Sequence, residues 1–316
     1  MKIIVTGAGN NGFLGKHVKK KFQTTGMNAA HEVEFFGSEI DLTDAHETEL
    51  MFREFKPTIV VHMAAVCGGI LANKNSPADF LTKNTLMSVY MYEAARKYKK
   101  RYGKNVRIYT LGSVCSYPEH CPVPFKEDDL FNGYPESSNA PYGQAKRTLL
   151  MLGQTYREQY GIGGAHLIPV NMMGEYDHFD LTNSHVIPAL INKFIHAKEN
   201  DLPSVSVWGT GEATREFLYA GDCAEAIALA VITNLDTPLP INIGTGKDIS
   251  IKDLAFLLRQ MIDYKGEVVF TGEVSDGQPK RRLDVSRAKE VFGFEAQTSL
   301  EDGLRKTITW YKENKG

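Results

Sequence analysis

A chain of 316 residues, 42% hydrophobic and 23% charged, carries enough apolar material for a sizeable core and lacks the composition of a disordered or fibrous protein. A formal net charge of -2 speaks against a general polyanion binder, so no nucleic-acid partner is expected, although local basic clusters can still hold a diphosphate. No apolar run approaches the ~20 residues that span a bilayer, the first residues read straight into a strand rather than a leader, and the four scattered cysteines (Cys67, Cys115, Cys121, Cys223) form no CxxC pair; reduced thiols, no metal, no membrane and a cytoplasmic location are the expectations.

Short β-branched runs alternate with stretches of helical periodicity, the pattern of βαβ units around a parallel sheet. Lys2–Val5 reads as the first strand and Lys16–Phe22 as the helix after it. Between them lies Gly7-Ala8-Gly9-Asn10-Asn11-Gly12-Phe13-Leu14-Gly15, a turn that follows a strand and opens a helix, where backbone N–H groups can approach a pyrophosphate. Glu32–Phe36 reads as the second strand; after it, Asp41-Leu42 fits either a place beside an adenine ring or, with Thr43, a helix cap. Thr58–Ala64, Val106–Gly112 and Ala165–Pro169 read as strands three to five. A doubly wound order gathers ligands at the carboxyl ends of its strands, which draws attention to Ala64, Ala65 and Pro169.

After Asn171 the rhythm changes to a loop-rich stretch, Gly174 to Asn183, then a helix from His185 to about Glu199. Leu218 to Ile232 again resembles a strand edge and a helix, and Leu300–Asn314 a closing amphipathic helix. The predicted fold class is α/β, a doubly wound parallel sheet (Rossmann) with a smaller C-terminal α/β substrate lobe. Residues 1–170 form the dinucleotide-binding domain, with part of 215–245 returning to it, and 171–316 the second domain.

Tyr142-Gly143-Gln144-Ala145-Lys146 sets a phenol and an ammonium four positions apart, on one helix face. A lysine beside a tyrosine favours phenolate, so Tyr142 is expected to exchange a proton with a carbonyl or alcohol near neutral pH. Ser113, at the end of the fourth strand, can hydrogen-bond the same oxygen. YxxxK alone is common on solvated helices; its position after a dinucleotide loop and a strand-end serine suits hydride transfer.

These residues resemble the extended short-chain dehydrogenase/reductases, and within them the GDP-L-fucose synthase family of epimerase-reductases. The resemblance runs over nearly the whole chain. It is carried by Ala64-Ala65 with Gly68-Gly69-Ile70-Leu71-Ala72-Asn73 and Pro77-Ala78-Asp79-Phe80, by Gly112-Ser113-Val114-Cys115-Ser116-Tyr117-Pro118, by Asn183-Ser184-His185-Val186-Ile187-Pro188, and by Trp208-Gly209-Thr210-Gly211 leading to Arg215-Glu216-Phe217-Leu218. It implies Ser113, Tyr142 and Lys146 as the reductive triad, with Cys115 as base and His185 as acid for inversion beside a 4-keto group. It further implies Asn171, Lys193, Trp208, Arg215 and Lys280 around a GDP-sugar, and a homodimer pairing 76–97 and 142–160, which a monomeric mass in solution would contradict. Read without the resemblance, Cys115 suits a buried small hydrophobe, His185 a cap or surface residue, Trp208 the core, and Lys280-Arg281-Arg282 a solvated run.

The cofactor implied is NADPH, held by Gly7, Gly9, Asn10, Asn11, Gly12, Phe13, Leu14, Asp41, Leu42, Ala64, Ala65, Tyr142, Lys146, Pro169 and His185. Two departures leave NAD open. Four residues, not two, separate Gly7 from Gly12, and an arginine that the family can place in this loop is missing. Phe36-Gly37-Ser38-Glu39 offers no cation for a 2′-phosphate, while Glu34 stands near where an acidic residue binds a free ribose 2′-hydroxyl. Related activities, a colitose or heptose epimerase-reductase or a plain 4-epimerase, hinge on the sugar wall expected at Val66, Cys67, Val114 and Met173.

Overall fold

The computed structural model describes residues 1–9, 12–180, 184–272 and 278–315. β1 (Lys2–Thr6) leads to α1 (Phe13–Thr24), the single turn α2 (Met27–Ala30), β2 (Glu32–Phe36), α3 (Ala45–Phe55), β3 (Ile59–His62), α4 (Ile70–Asn75), the long α5 (Pro77–Tyr102) and β4 (Arg107–Leu111). A short 3-10 turn, Val114–Ser116, follows; then come α6 (Ala140–Tyr160), β5 (Gly164–Pro169), β6 (Asn171–Met173), α7 (Val186–Glu199), β7 (Ser204–Val207), β8 (Thr214–Tyr219) and α8 (Ala220–Ile232). β9 (Ile241–Ile243), β10 (Asp248–Ser250), α9 (Ile251–Ile262), β11 (Glu267–Phe270), β12 (Lys280–Arg281), α10 (Ser286–Phe292) and α11 (Leu300–Asn314) complete the chain.

Six parallel strands pair in the order β2-β1-β3-β4-β5-β9. Alternating side chains send Ile3 and Val5 to one face, where α1 and α8 bring Val18, Phe22 and Ile227. Ile4, Val60 and Ile108 point to the other face, under Phe52, Met91 and Leu149 of α3, α5 and α6. Both faces being covered, β3 and β5 are buried along their whole length, as expected for parallel strands. The order reverses at β1, which has β2 on one side and β3 on the other, the switch point beside whose carboxyl ends such sheets bind ligands.

In the second half β8 lies between β10 and β12 and also pairs β6, while β7 pairs β11. Ile187, Leu190, Phe194, Leu254, Leu258 and Leu304 build a separate core beneath them. β9 leaves this lobe and returns to the first sheet, with Pro169 opposite Ile243. Buried Glu216 ties β8 to its surroundings, accepting from the amides of Gly246 (2.8 Å) and Leu283 (2.7 Å).

The cap of α3 corrects the expectation for Asp41 and Thr43. Asp44 caps the helix, its Oδ1 accepting from the amides of His46 (2.7 Å) and Glu47 (2.9 Å). Asp41 instead closes a local turn, accepting from the amide and hydroxyl of Thr43. Leu42 is buried among Ile4, Met51 and Phe52, so its side chain belongs to the core.

Candidate active site

The glycine turn is pressed against the ends of β2 and β3. Gly7 has φ of 75°, a left-handed conformation, and a Cβ there would lie 2.6 Å from the amide nitrogen of Ala64. Gly9 abuts Gly37 as closely, and the Gly12 amide donates to the Gly9 carbonyl. α1 has no side-chain cap and no acidic residue in its first turn, so its leading N–H groups suit an anion. These are the features a dinucleotide pyrophosphate requires. Phe13 is half-buried at the start of α1 and Leu14 packs into the core; Asn10 and Asn11 lie outside the described residues. Half-buried Ala64 and Ala65 face the turn from the end of β3, Pro169 is buried at the end of β5, and Asp41 is exposed. At the end of β2 the Glu39 carboxylate folds back to accept from the Gly37 amide at 2.6 Å.

Ser113, Cys115, Tyr142 and Lys146 come together where β4 meets the start of α6. The Ser113 hydroxyl accepts from the Cys115 amide at 3.2 Å and lies beside the Tyr142 side chain. A Cβ on Gly143 would run into the Cys115 carbonyl, so the 3-10 turn sits directly on the helix turn that carries Tyr142. Arg147, one residue beyond Lys146, clamps this arrangement by donating to the carbonyls of Ser116 (2.6 Å) and Gly133 (2.8 Å).

One electrostatic expectation is corrected. Burial, then the nearby thiols of Cys67 and Cys115, push the Tyr142 phenol well above its ordinary range, against a smaller downward pull from Ser113. Lys146 does not reverse this: its ammonium lies 5.6 Å from the tyrosine ring and donates to the Leu111 carbonyl at 2.9 Å, and burial lowers its own pKa to about 8. Tyr142 therefore holds its proton across the neutral range, the form needed to donate one.

His185 immediately precedes α7, yet its side chain makes no capping bond. It is exposed, and burial of its ring environment, then His178, hold it below the usual histidine range. No hydrogen bond among the described residues joins it to Ser113, Cys115, Tyr142 or Lys146. Cys67 has the same character, exposed but with a thiol raised by burial. Val114 and Met173, expected at the sugar wall, are instead buried in the cores, their side chains pointing inward from the turn and from β6. Val66 is pinned instead through its backbone, its amide donating to Asn84 at 2.9 Å.

In the second lobe the Lys193 ammonium lies 4.9 Å over the Trp208 ring and donates to the Ser206 carbonyl. Trp208 is 48% exposed, so it is not a core residue. Arg215 on β8 donates to the carbonyls of Thr214 and Gln278, both at 2.7 Å, and exposed Lys280 pairs with Thr214 on the adjacent strand. Asn171 donates to the Glu216 carbonyl at 3.2 Å. Three buried residues at the centre escaped sequence reasoning: Glu136, Gln278 and Arg281. Strand alternation within Lys280-Arg281-Arg282 was the available signal, since it turns the middle cation inward.

Residues 3–244 match the family described as the NAD dependent epimerase/dehydratase family. GDP-L-fucose synthase of Sinorhizobium fredii is 39% identical over 275 residues, covering 87% of this chain and 85% of that protein. Among solved structures, a GDP-6-OMe-4-keto-L-xylo-heptose reductase from C. jejuni superposes with a TM-score of 0.88 at 27% identity, covering 98% of this chain and 97% of that one. A GDP-L-fucose synthetase from Naegleria fowleri bound to NADP gives 0.84 at 26% identity, covering 99% and 94%. With its glycine turn, strand-end serine and YxxxK helix in that setting, the chain belongs to the NAD dependent epimerase/dehydratase family, among the GDP-sugar 4-keto epimerase-reductases.

Proposed function

We propose that this protein converts GDP-4-keto-6-deoxy-D-mannose to GDP-L-fucose, inverting carbons 3 and 5 and reducing the 4-keto group. The observation that carries this reading is the apposition of a thiol and a proton-holding phenol, Cys115 on the 3-10 turn and Tyr142 on α6. The 4-keto group acidifies the protons on both neighbouring carbons. Cys115 removes them as base, and His185 returns a proton to the opposite ring face through the enolate. When bound, a reduced nicotinamide would supply the hydride for carbon 4. Tyr142 then protonates the ketone oxygen, Ser113 hydrogen-bonds that oxygen, and the Lys146 ammonium supports the site's charge. Residues 171–316 hold the nucleotide-sugar, with Asn171, Lys193, Trp208, Arg215 and Lys280 around the GDP portion.

The test is reaction of the protein with this substrate and NADPH in deuterated water, followed by NMR of the product. The expected result is GDP-L-fucose carrying deuterium at carbons 3 and 5. A reduced product with unaltered, unlabelled carbons 3 and 5 would leave a plain reductase. A heptose-type substrate is the second reading, favoured by exposed Cys67 on the sugar wall, where the resemblance leaves room for change; turnover of a GDP-4-keto-heptose above that of the 6-deoxy sugar decides for it.

The cofactor in this reading is NADPH, supported by the relative solved with NADP. Exposed Ser38 and Glu39 offer no cation to a 2′-phosphate, so discrimination against NADH is expected to be weak. Ser38→Arg adds a charge-assisted contact of about 1.5–3 kcal/mol and raises the kcat/KM ratio of NADPH over NADH by roughly tenfold or more. An unchanged ratio contradicts this placement of the 2′-position.

A further inference from the structure

Arg281 reaches from the second lobe to the thiol of Cys115. It is 6% exposed, and each part of its guanidinium has a different partner. Nε donates to Gln278 Oε1 at 2.7 Å, Nη1 lies 3.8 Å from Cys115 Sγ, and Nη2 lies 3.8 Å from Glu136 Oε2. Two of these partners lead back to the catalytic elements. The Gln278 amide donates to the carbonyls of Pro118 and Glu119, both at 2.8 Å, just beyond the 3-10 turn. The Glu136 carboxylate accepts from the Ser138 hydroxyl at 2.5 Å and from Asn139 Nδ2 at 2.9 Å, and Asn139 is the residue from which α6 starts toward Tyr142.

We propose that Arg281 is a positioning residue that aims the Cys115 thiol and keeps it in register with Tyr142. This rests on the reading of Cys115 as the base. A guanidinium is rigid and permanently a donor, so an N–H directed at sulfur fixes where the thiol points. The planar fork matters as well, because one rigid group serves the thiol, Gln278 and Glu136 at once. The other titratable groups facing the thiol are Tyr142, whose phenol responds to its charge, and Glu136 behind the guanidinium.

The experiment compares the wild-type chain with Arg281→Gln, Arg281→Lys and Cys115→Ser. Iodoacetamide labelling of Cys115 in the free protein is followed against pH by mass spectrometry of its peptide, which separates it from exposed Cys67. Deuterium uptake into GDP-4-keto-6-deoxy-D-mannose and KM are measured in parallel. For Arg281→Gln the expected result is labelling slowed about tenfold at pH 7.5 and deuterium uptake reduced by at least as much. Arg281→Lys, which keeps the charge and the fold, falls between the two. A labelling profile in Arg281→Gln and Arg281→Lys that coincides with wild type overturns the proposal; with a raised KM, it makes Arg281 a substrate-binding group instead. Labelling is read without substrate, so it stands apart from the catalytic reading. If Cys115→Ser takes up deuterium at the wild-type rate, Cys115 is not the base, whatever the labelling shows.

Discussion

Replacing Tyr142 with phenylalanine is expected to lower the rate of ketone reduction about 10^2- to 10^4-fold, the range for removing a positioned proton donor. The ring is kept, so its edge-on contact with Phe80, centroids 6.2 Å apart, survives, and thermal stability should barely move. Ser113 and Lys146 stay in place, because the lysine is anchored on the Leu111 carbonyl and not on the phenol. Deuterium uptake at carbons 3 and 5 should persist, since in the proposed scheme it depends on Cys115 and His185. Stopped-flow loss of reduced-nicotinamide absorbance, set beside NMR of the exchanging sugar, separates the two steps. Reduction within a few-fold of wild type would show that another group protonates the ketone oxygen.

The second large effect concerns stability in acid. His62 and His166 are buried in the first sheet, each Nδ1 hydrogen-bonded to a threonine hydroxyl, Thr6 at 2.9 Å and Thr110 at 2.8 Å. Burial, and then the charge of Lys146, depress both to about 3. An unfolded histidine titrates near 6.5. Between these values the unfolded chain takes up protons that the folded chain refuses, so the contribution is whole above about pH 6.5 and is lost as pH falls toward 3. At pH 5 each histidine costs about 2 kcal/mol, or about 4 kcal/mol for the pair. Urea unfolding at pH 7 and pH 5 tests this against His62→Asn/His166→Asn, which keeps a partner for each threonine. The wild-type chain should lose about 4 kcal/mol more than the double variant over that interval; equal losses would mean that the histidines charge without cost in the fold.

Much of the architecture was legible because it is written in local period. Strand and helix repeats marked β1 to β5 and α11, and Gly7 marked a turn that only a residue without a side chain can make. Ser113 and the Tyr142–Lys146 pair were legible for the same reason, since a strand end and one helix face are local properties. Asp44 was missed as the cap of α3 because several neighbouring side chains can compete for the same amides, and packing of the preceding loop selects among them.

By itself, then, the sequence determined the parallel sheet, the glycine turn and the pairing of Tyr142 with Lys146 on one helix face, all consequences of periodicity and side-chain chemistry within a few residues. Only the tertiary structure decided the electrostatics and the cross-links. Burial raises the Tyr142 phenol, inward packing places Val114 and Met173 in the cores, and Arg281 meets Cys115 across 166 positions of chain. The physical reason is that dehydration and contact depend on everything that packs around a group, and β12 is brought to the 3-10 turn by folding, not by sequence proximity.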